Sequence, residues 1–219
     1  MNIAKIFHCS LLKSAYINIK CLPFKQAIHF PILVSRTVKF VSLKGKIKLD
    51  GAIRMGAIQF GLSGSGTSLY MPIAIENYGL LVFGDNVHIG GGTQIACGAS
   101  SVIEFCSGVS ISAECHIVSR KKITIGKNST ISWNTLLMDT DSHNIFVNQS
   151  IVNKDKSVEI GNNVWVSSGV SLLKGTKIPN GCIVAAGSVI SGKTEGIKKN
   201  SIICGMPVRV IRENIEWKI

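Results

Sequence analysis

Six apolar residues stand six apart in the C-terminal half of the chain: Ile160, Val166, Leu172, Ile178, Val184 and Ile190. Four positions after each come Val164, Val170, Thr176, Cys182, Ser188 and Thr194, all small or β-branched. Gly169, Gly175, Gly181 and Gly187 follow three positions after Val166, Leu172, Ile178 and Val184. A period of six fits neither an amphipathic helix nor a hairpin strand. It fits a short strand followed by a turn, three such sides closing a triangular coil of about eighteen residues. The aliphatic side chain then points inward and stacks on its equivalent in the next coil. The small residue fits the corner, and glycine permits a turn where a Cβ would clash.

The same beat runs earlier, through Phe83, Ile89 and Ile95, then Phe105, Ile111 and Ile117, then Ile125, Ile131 and Leu137. Val87, Thr93 and Ala99 are the small partners of the first triplet. The reading is an all-β parallel β-helix. Its hand is not legible from the beat, and right-handed crossovers are the general rule. Between Leu137 and Ile160 the step stretches to 23 residues. The excess is an inserted loop, placed at 138–157, and it holds "DTDSH", with Asp139, Asp141 and His143.

The chain has 219 residues, 46% hydrophobic and 16% charged, which argues for a packed domain rather than a disordered one. The longest charge-free run, Met55 to Ile75, is too polar and glycine-rich to insert in a bilayer. The first twenty residues make a poor signal peptide, so a cytoplasmic protein is expected. Seven cysteines with no C-x-x-C pair read as small buried residues, with no disulfide and no metal site assigned. Residues 1 to 54 carry ten Lys or Arg against one acid, Asp50, a segment suited to anionic surfaces. No zinc-finger spacing or RNA-binding aromatic strand is present, and no nucleic-acid role is assigned. The expected organisation is a basic N-terminal cap at 1–44, helical then extended, the β-helix at 45–207 and a short tail at 208–219. Peripheral contact with the inner membrane face through the basic segment is a further expectation.

"IGNNVWVSSGVSLLKGTKIPNGCIVAAGSVIS" followed by "GMPVRVIRE" resembles the hexapeptide-repeat acyltransferases. The similarity is to the maltose and galactoside O-acetyltransferase branch, with relatives in capsule and O-antigen synthesis, and covers roughly residues 45 to 213. It implies a left-handed coil, a homotrimer, and acetyl-CoA lying between neighbouring β-helices. A sugar or glycan precursor would be the acceptor and a loop histidine would complete each site.

On that resemblance His143 is the general base, neutral imidazole being suited to deprotonating a hydroxyl near neutral pH. Asp139 or Asp141 would orient it or bind acceptor hydroxyls. Trp133 and Trp165 fall at non-stacking positions, so they face outward and suggest a ligand or partner over them. The resemblance puts Trp165 in the acceptor and pantetheine groove and Trp133 with Asn134 at the acceptor. It suggests a backbone N–H at Ser167 or Ser168 as oxyanion donor. Ala185 and Ala186 would leave room for the pantetheine arm. Lys193, Arg209 and Arg212 would hold the CoA phosphates. Relatives often carry Thr-Lys directly after this coil, whereas "SVISGKTEG" displaces Lys193 by one residue. N-acetylation of an amino sugar is the alternative on the same fold. A zinc-dependent β-helix carbonic anhydrase would need three converging histidines, and a non-catalytic scaffold of the ice-binding kind would show outward threonine arrays.

Overall fold

A computed structural model describes residues 8–62, 66–192 and 194–218. The chain winds as a parallel β-helix with three flat faces, in sheets of nine, seven and six strands among the described residues. The first face starts at Ile32–Val34 and rises through Ile58–Phe60, Val87–Ile89, Ser110–Ile111, Thr130–Ile131, Trp165–Val166 and Ile183–Val184 to Ile202–Cys204. The second face runs from Lys39–Leu43 to Val189–Ser191, and the third from Lys46–Leu49 to Lys177–Ile178.

The strand register places the repeat residues directly over one another. On the first face Phe60, Ile89, Ile111, Ile131, Val166, Val184 and Ile203 form one column. Ile75, Ile95, Ile117, Leu137, Leu172 and Ile190 form the second. Phe83, Phe105, Ile125, Ile160 and Ile178 form the third. All of these are buried. Each contributes on the order of 1.5–3 kcal/mol by leaving water. In the lower coils Phe83 and Phe105 stack with ring centroids 5.1 Å apart, and Phe60 meets Phe83 edge-on.

The corners need backbone in the left-handed region. Glycine supplies it at Gly169, Gly175, Gly181 and Gly187 (φ 69°, 82°, 70° and 69°). Asparagine does the same at Asn86, Asn128, Asn134 and Asn163, its short polar side chain tolerating that conformation. Cys115 and Cys182 fill buried corner positions, and burial pushes the Cys115 thiol up to about 11.

The coil begins earlier than the expected boundary at 45. Ile32–Val34 pairs in parallel with Ile58–Phe60, and Lys39–Leu43 with Ala74–Asn77. Val34 and Phe40 are themselves six apart, but the long excursion to Phe60 hides them from the repeat. Residues 208–219 likewise hold more than a tail, because Arg209–Arg212 adds an antiparallel strand against Ile202–Cys204.

The helix Leu11–Cys21 closes the first coil. Ser10 caps it by accepting from the Lys13 N–H. Its buried Asn18 side chain donates to the Ile32 carbonyl (2.7 Å) and accepts from the Ile32 N–H (3.2 Å), and Ser14 Oγ accepts from the Val34 N–H (3.0 Å). Side chains thus satisfy backbone groups of an edge strand that would otherwise invite another chain.

Candidate active site

The coil's three corners divide the candidate residues. The strip where the first face turns into the second gathers most of them. Trp133 and Asn134 are exposed at this corner in one coil, and Asn134 has φ 56°, so its identity follows from the turn. Ser167 and Ser168 occupy the same corner in the next coil, where the Gly169 N–H donates to the Trp133 carbonyl (2.9 Å). Ala185 and Ala186 follow one coil further, with the Gly187 N–H donating to the Ser168 carbonyl (3.0 Å). The Ser167 N–H is engaged by the Val184 carbonyl (3.0 Å), so of the two serines Ser168 is the one placed to offer an amide.

Cys204 ends this strip, paired in register with Arg209, whose Nε donates to the Cys204 sulfur (3.4 Å). Arg212 lies three residues on, opposite Ile202, and both guanidinium groups are exposed. Beside them is an open, largely apolar cleft of about 690 Å³, lined by Val189, Ser191, Met206, Pro207 and Val208. Lys193 lies outside the described residues.

Trp165 sits on the first face next to the strip, partly exposed, its indole N–H donating to Ser132 Oγ (3.0 Å). Its ring is met at 6.0 Å by Trp217, a residue that the hexapeptide beat does not reach. The Trp217 indole donates to the Asn163 carbonyl (2.9 Å), and the Ile215 N–H to the Asn200 carbonyl (2.9 Å), so the C-terminal residues strap across the corner where the third face turns into the first.

His143 is elsewhere. Its loop leaves the coil after Met138, at the end of a second-face strand, and returns at Val158 on the third face. Within it Phe146–Val147 and Ser150–Ile151 form a small antiparallel hairpin. The ring is on an exposed stretch, and the His143 carbonyl accepts from Asn153 Nδ2 (2.7 Å).

The two aspartates have different tasks. Asp139, expected beside His143 or at the acceptor, is instead fully buried. Its carboxylate accepts from Ser119 Oγ (2.7 Å) and from the N–H groups of Arg120 (2.7 Å) and Lys121 (3.0 Å). It pins the base of the loop to the corner of the coil below, and those bonds take it away from the imidazole. Asp141 pairs with Lys174, which belongs to the coil above, and accepts from Asn153 Nδ2 (2.8 Å). Lys174 also donates to the Asn153 carbonyl (2.8 Å), and Asn153 Oδ1 accepts from the Ile145 N–H (2.6 Å). Lys174 stands at the corner position one coil above the loop, so the repeat alone could have pointed to it. Nothing in the beat marks Asn153.

The Lys174 ammonium, and after it the Asn153 amide, hold the Asp141 carboxyl below the usual carboxylate range. A depressed folded value means that this brace is fully present above the unfolded range near ~4 and is lost as pH falls through the folded value. Hydrogen exchange at the Ile145 amide, corrected for its intrinsic rate, should stay slow down to about pH 4 and then speed up. Asp141→Asn should show the fast behaviour already at neutral pH. Protection that stays at its neutral wild-type level both in acid and in the variant would remove Asp141 from the brace.

A family model described as bacterial transferase hexapeptide (six repeats) matches residues 157–192. The putative lipopolysaccharide biosynthesis O-acetyl transferase WbbJ of Escherichia coli (strain K12) is 31% identical over 160 residues, 68% of this chain and 80% of that protein. An uncharacterized 24.8 kDa protein in the cps region of Klebsiella pneumoniae is 29% identical over 211 residues, 96% of this chain and 90% of its own length. Among solved structures, AntD, an N-acyltransferase from Bacillus cereus in complex with dTDP and 3-hydroxybutyryl-CoA, shares the fold with a TM-score of 0.50. That match is 18% identical and covers 84% of this chain and 80% of AntD. With its columns and corners built on the hexapeptide beat and one loop inserted into it, the chain belongs to the hexapeptide-repeat transferase family, as an acyltransferase on a left-handed parallel β-helix.

Proposed function

We propose that the protein moves an acetyl group from acetyl-CoA to a hydroxyl of a sugar or surface-polysaccharide precursor, in sites shared between neighbouring chains of a homotrimer. One observation carries the shared site. The strip bearing Trp133, Ser168 and Ala186 and the loop bearing His143 lie at different corners of one triangular coil. A single chain holds the two halves apart, and rotational symmetry brings the loop of one chain to the strip of the next. The loop also leaves Ile145, Phe146, Val147 and Val152 exposed, an apolar surface that a neighbouring chain covers in this arrangement.

In the reaction the acceptor hydroxyl loses its proton to neutral His143 as its oxygen attacks the thioester carbonyl. The Ser168 N–H faces the oxyanion that forms. Collapse of the intermediate releases CoA thiolate, which takes the proton from the imidazolium, leaving an acetyl ester and free CoA. Arg209 and Arg212, at the upper end of the strip, hold the donor's phosphates.

Thermal unfolding of the full chain with increasing acetyl-CoA tests the donor without knowledge of the acceptor. Saturating donor, at about 100 times its dissociation constant, should add roughly 2.7 kcal/mol to stability, with ATP and UDP-glucose giving no comparable shift. Mass spectrometry of a panel of methyl glycosides incubated with acetyl-CoA then identifies acetylated sugar. A folded protein whose melting temperature does not respond to acetyl-CoA would sink the reading.

A further inference from the structure

The helix Leu11–Cys21 has its polarity reversed. Toward the coil it turns Ser14 and Asn18, both fully buried, beside Ile17. Toward solvent it turns Leu12 (86% exposed), Tyr16 (50%) and Ile19 (67%), at the i, i+4, i+7 spacing of a single helical face. Leu11 flanks this face, and the next short helix, Phe24–Ala27, leaves Phe24 (76%) exposed, followed by Ile28 (55%). A single exposed leucine needs no explanation, but a concentration of large apolar side chains at one end of a molecule does. The attachment of the helix does not supply one, because the hydrogen bonds that hold it come from its polar side.

The charge around this face has one sign. No Asp or Glu precedes Asp50 in the sequence. Lys13 is tied to the carbonyls of Arg36 (2.7 Å) and Val38 (2.6 Å), while Lys20, Lys25, Arg36 and Lys39 are exposed. The Lys20 ammonium lies 5.6 Å from the centre of the Tyr16 ring.

We propose that this N-terminal crown docks on an anionic lipid bilayer, with Leu12, Ile19 and Phe24 entering the headgroup–acyl boundary and Lys20 and Lys25 lying against the phosphates. Apolar residues beside lysines on one helical face are the composition of an interfacial helix, and each lysine near the surface adds to the attraction. A nucleic acid would use the cations but gain nothing from Leu12 and Ile19. A second copy would bring two acid-free basic crowns face to face. With the crown on the membrane and the coil axis upright, the loop of His143 emerges four strand spacings up, roughly 19 Å above the first strand.

The full-length protein, sedimented with vesicles of phosphatidylglycerol and phosphatidylcholine or of phosphatidylcholine alone, provides the test. Binding to the anionic vesicles should be at least about tenfold tighter and should weaken as salt is raised. The triple variant Leu12→Ser, Ile19→Ser, Phe24→Ser changes only exposed side chains. It should lose vesicle binding by about tenfold or more while keeping its melting temperature and its gel-filtration volume. Lys20→Glu with Lys25→Glu should lose the preference for anionic lipid. Wild-type protein left in the supernatant, or a triple variant that binds as tightly, overturns the proposal. So does a triple variant whose assembly mass falls, since the face would then be a contact between chains. A variant that melts early is replaced by Leu12→Gln with Ile19→Gln, judged by the same outcomes.

Discussion

Replacing His143 with alanine is expected to slow acetyl transfer by roughly 10²–10⁴-fold while acetyl-CoA binding stays nearly intact. The separation of effects follows from the geometry. His143 lies on an exposed loop whose scaffold contacts run through Asp139, Asp141, Asn153 and the His143 carbonyl, so removing the imidazole disturbs no packing. The donor strip lies at another corner and keeps its shape. Mixing is the sharper form of the experiment. His143→Ala and Trp165→Ala chains, each nearly inactive alone, should regain about a quarter of wild-type activity when unfolded and reassembled together. That fraction is the chance that an intact loop meets an intact face in a cyclic assembly. A mixture that stays inactive would argue for sites complete within one chain. Loss of donor binding along with rate in His143→Ala would remove the base assignment.

Asp139→Ala should be among the most damaging changes outside the aliphatic columns. The carboxylate is fully buried and satisfies one hydroxyl and two backbone N–H groups. Each donor left without a partner in the interior costs about 1–3 kcal/mol, and water entering the vacated space recovers part of that. A net loss of about 3 kcal/mol is expected. For a chain of this size that lowers the melting temperature by roughly 6–12 °C. Because stacked coils respond locally, exchange at the Arg120 and Lys121 amides should rise before the rest of the coil is affected. A melting temperature within a degree of wild type would show that the carboxylate does not anchor the loop.

These predictions also show where reading from sequence succeeds. The aliphatic columns were legible because each inward residue meets the same geometric demand, and Ile160 to Ile190 repeat it without interruption. The loop was legible as a break in that beat. The roles within the loop were not. Asp139 and Asp141 are two residues apart in the same short motif, yet one faces the coil below and the other meets Lys174 above. Burial separates them, and burial there depends on the path of the loop, which follows no period. Asn134 shows the converse, a residue read as a ligand contact at a left-handed corner that by itself already favours asparagine. Trp217 escaped because the tail obeys no repeat, and only the folded chain lays it on Trp165.

The anchorage of the insertion makes it an exchangeable part. Asp139 fastens its near end one coil down, Lys174 from one coil up fastens its stem through Asp141 and Asn153, and the strand at Val158 resumes the register of the strand at Lys122. Nothing in the columns depends on what lies between these fixings. A segment of different length or composition, grafted between His143 and Asn153, would inherit a ready-made mount and keep the imidazole, and the solenoid beneath it would be indifferent to the swap. Selection can therefore re-tool the tip for a new acceptor while the frame that carries the donor strip remains as it is.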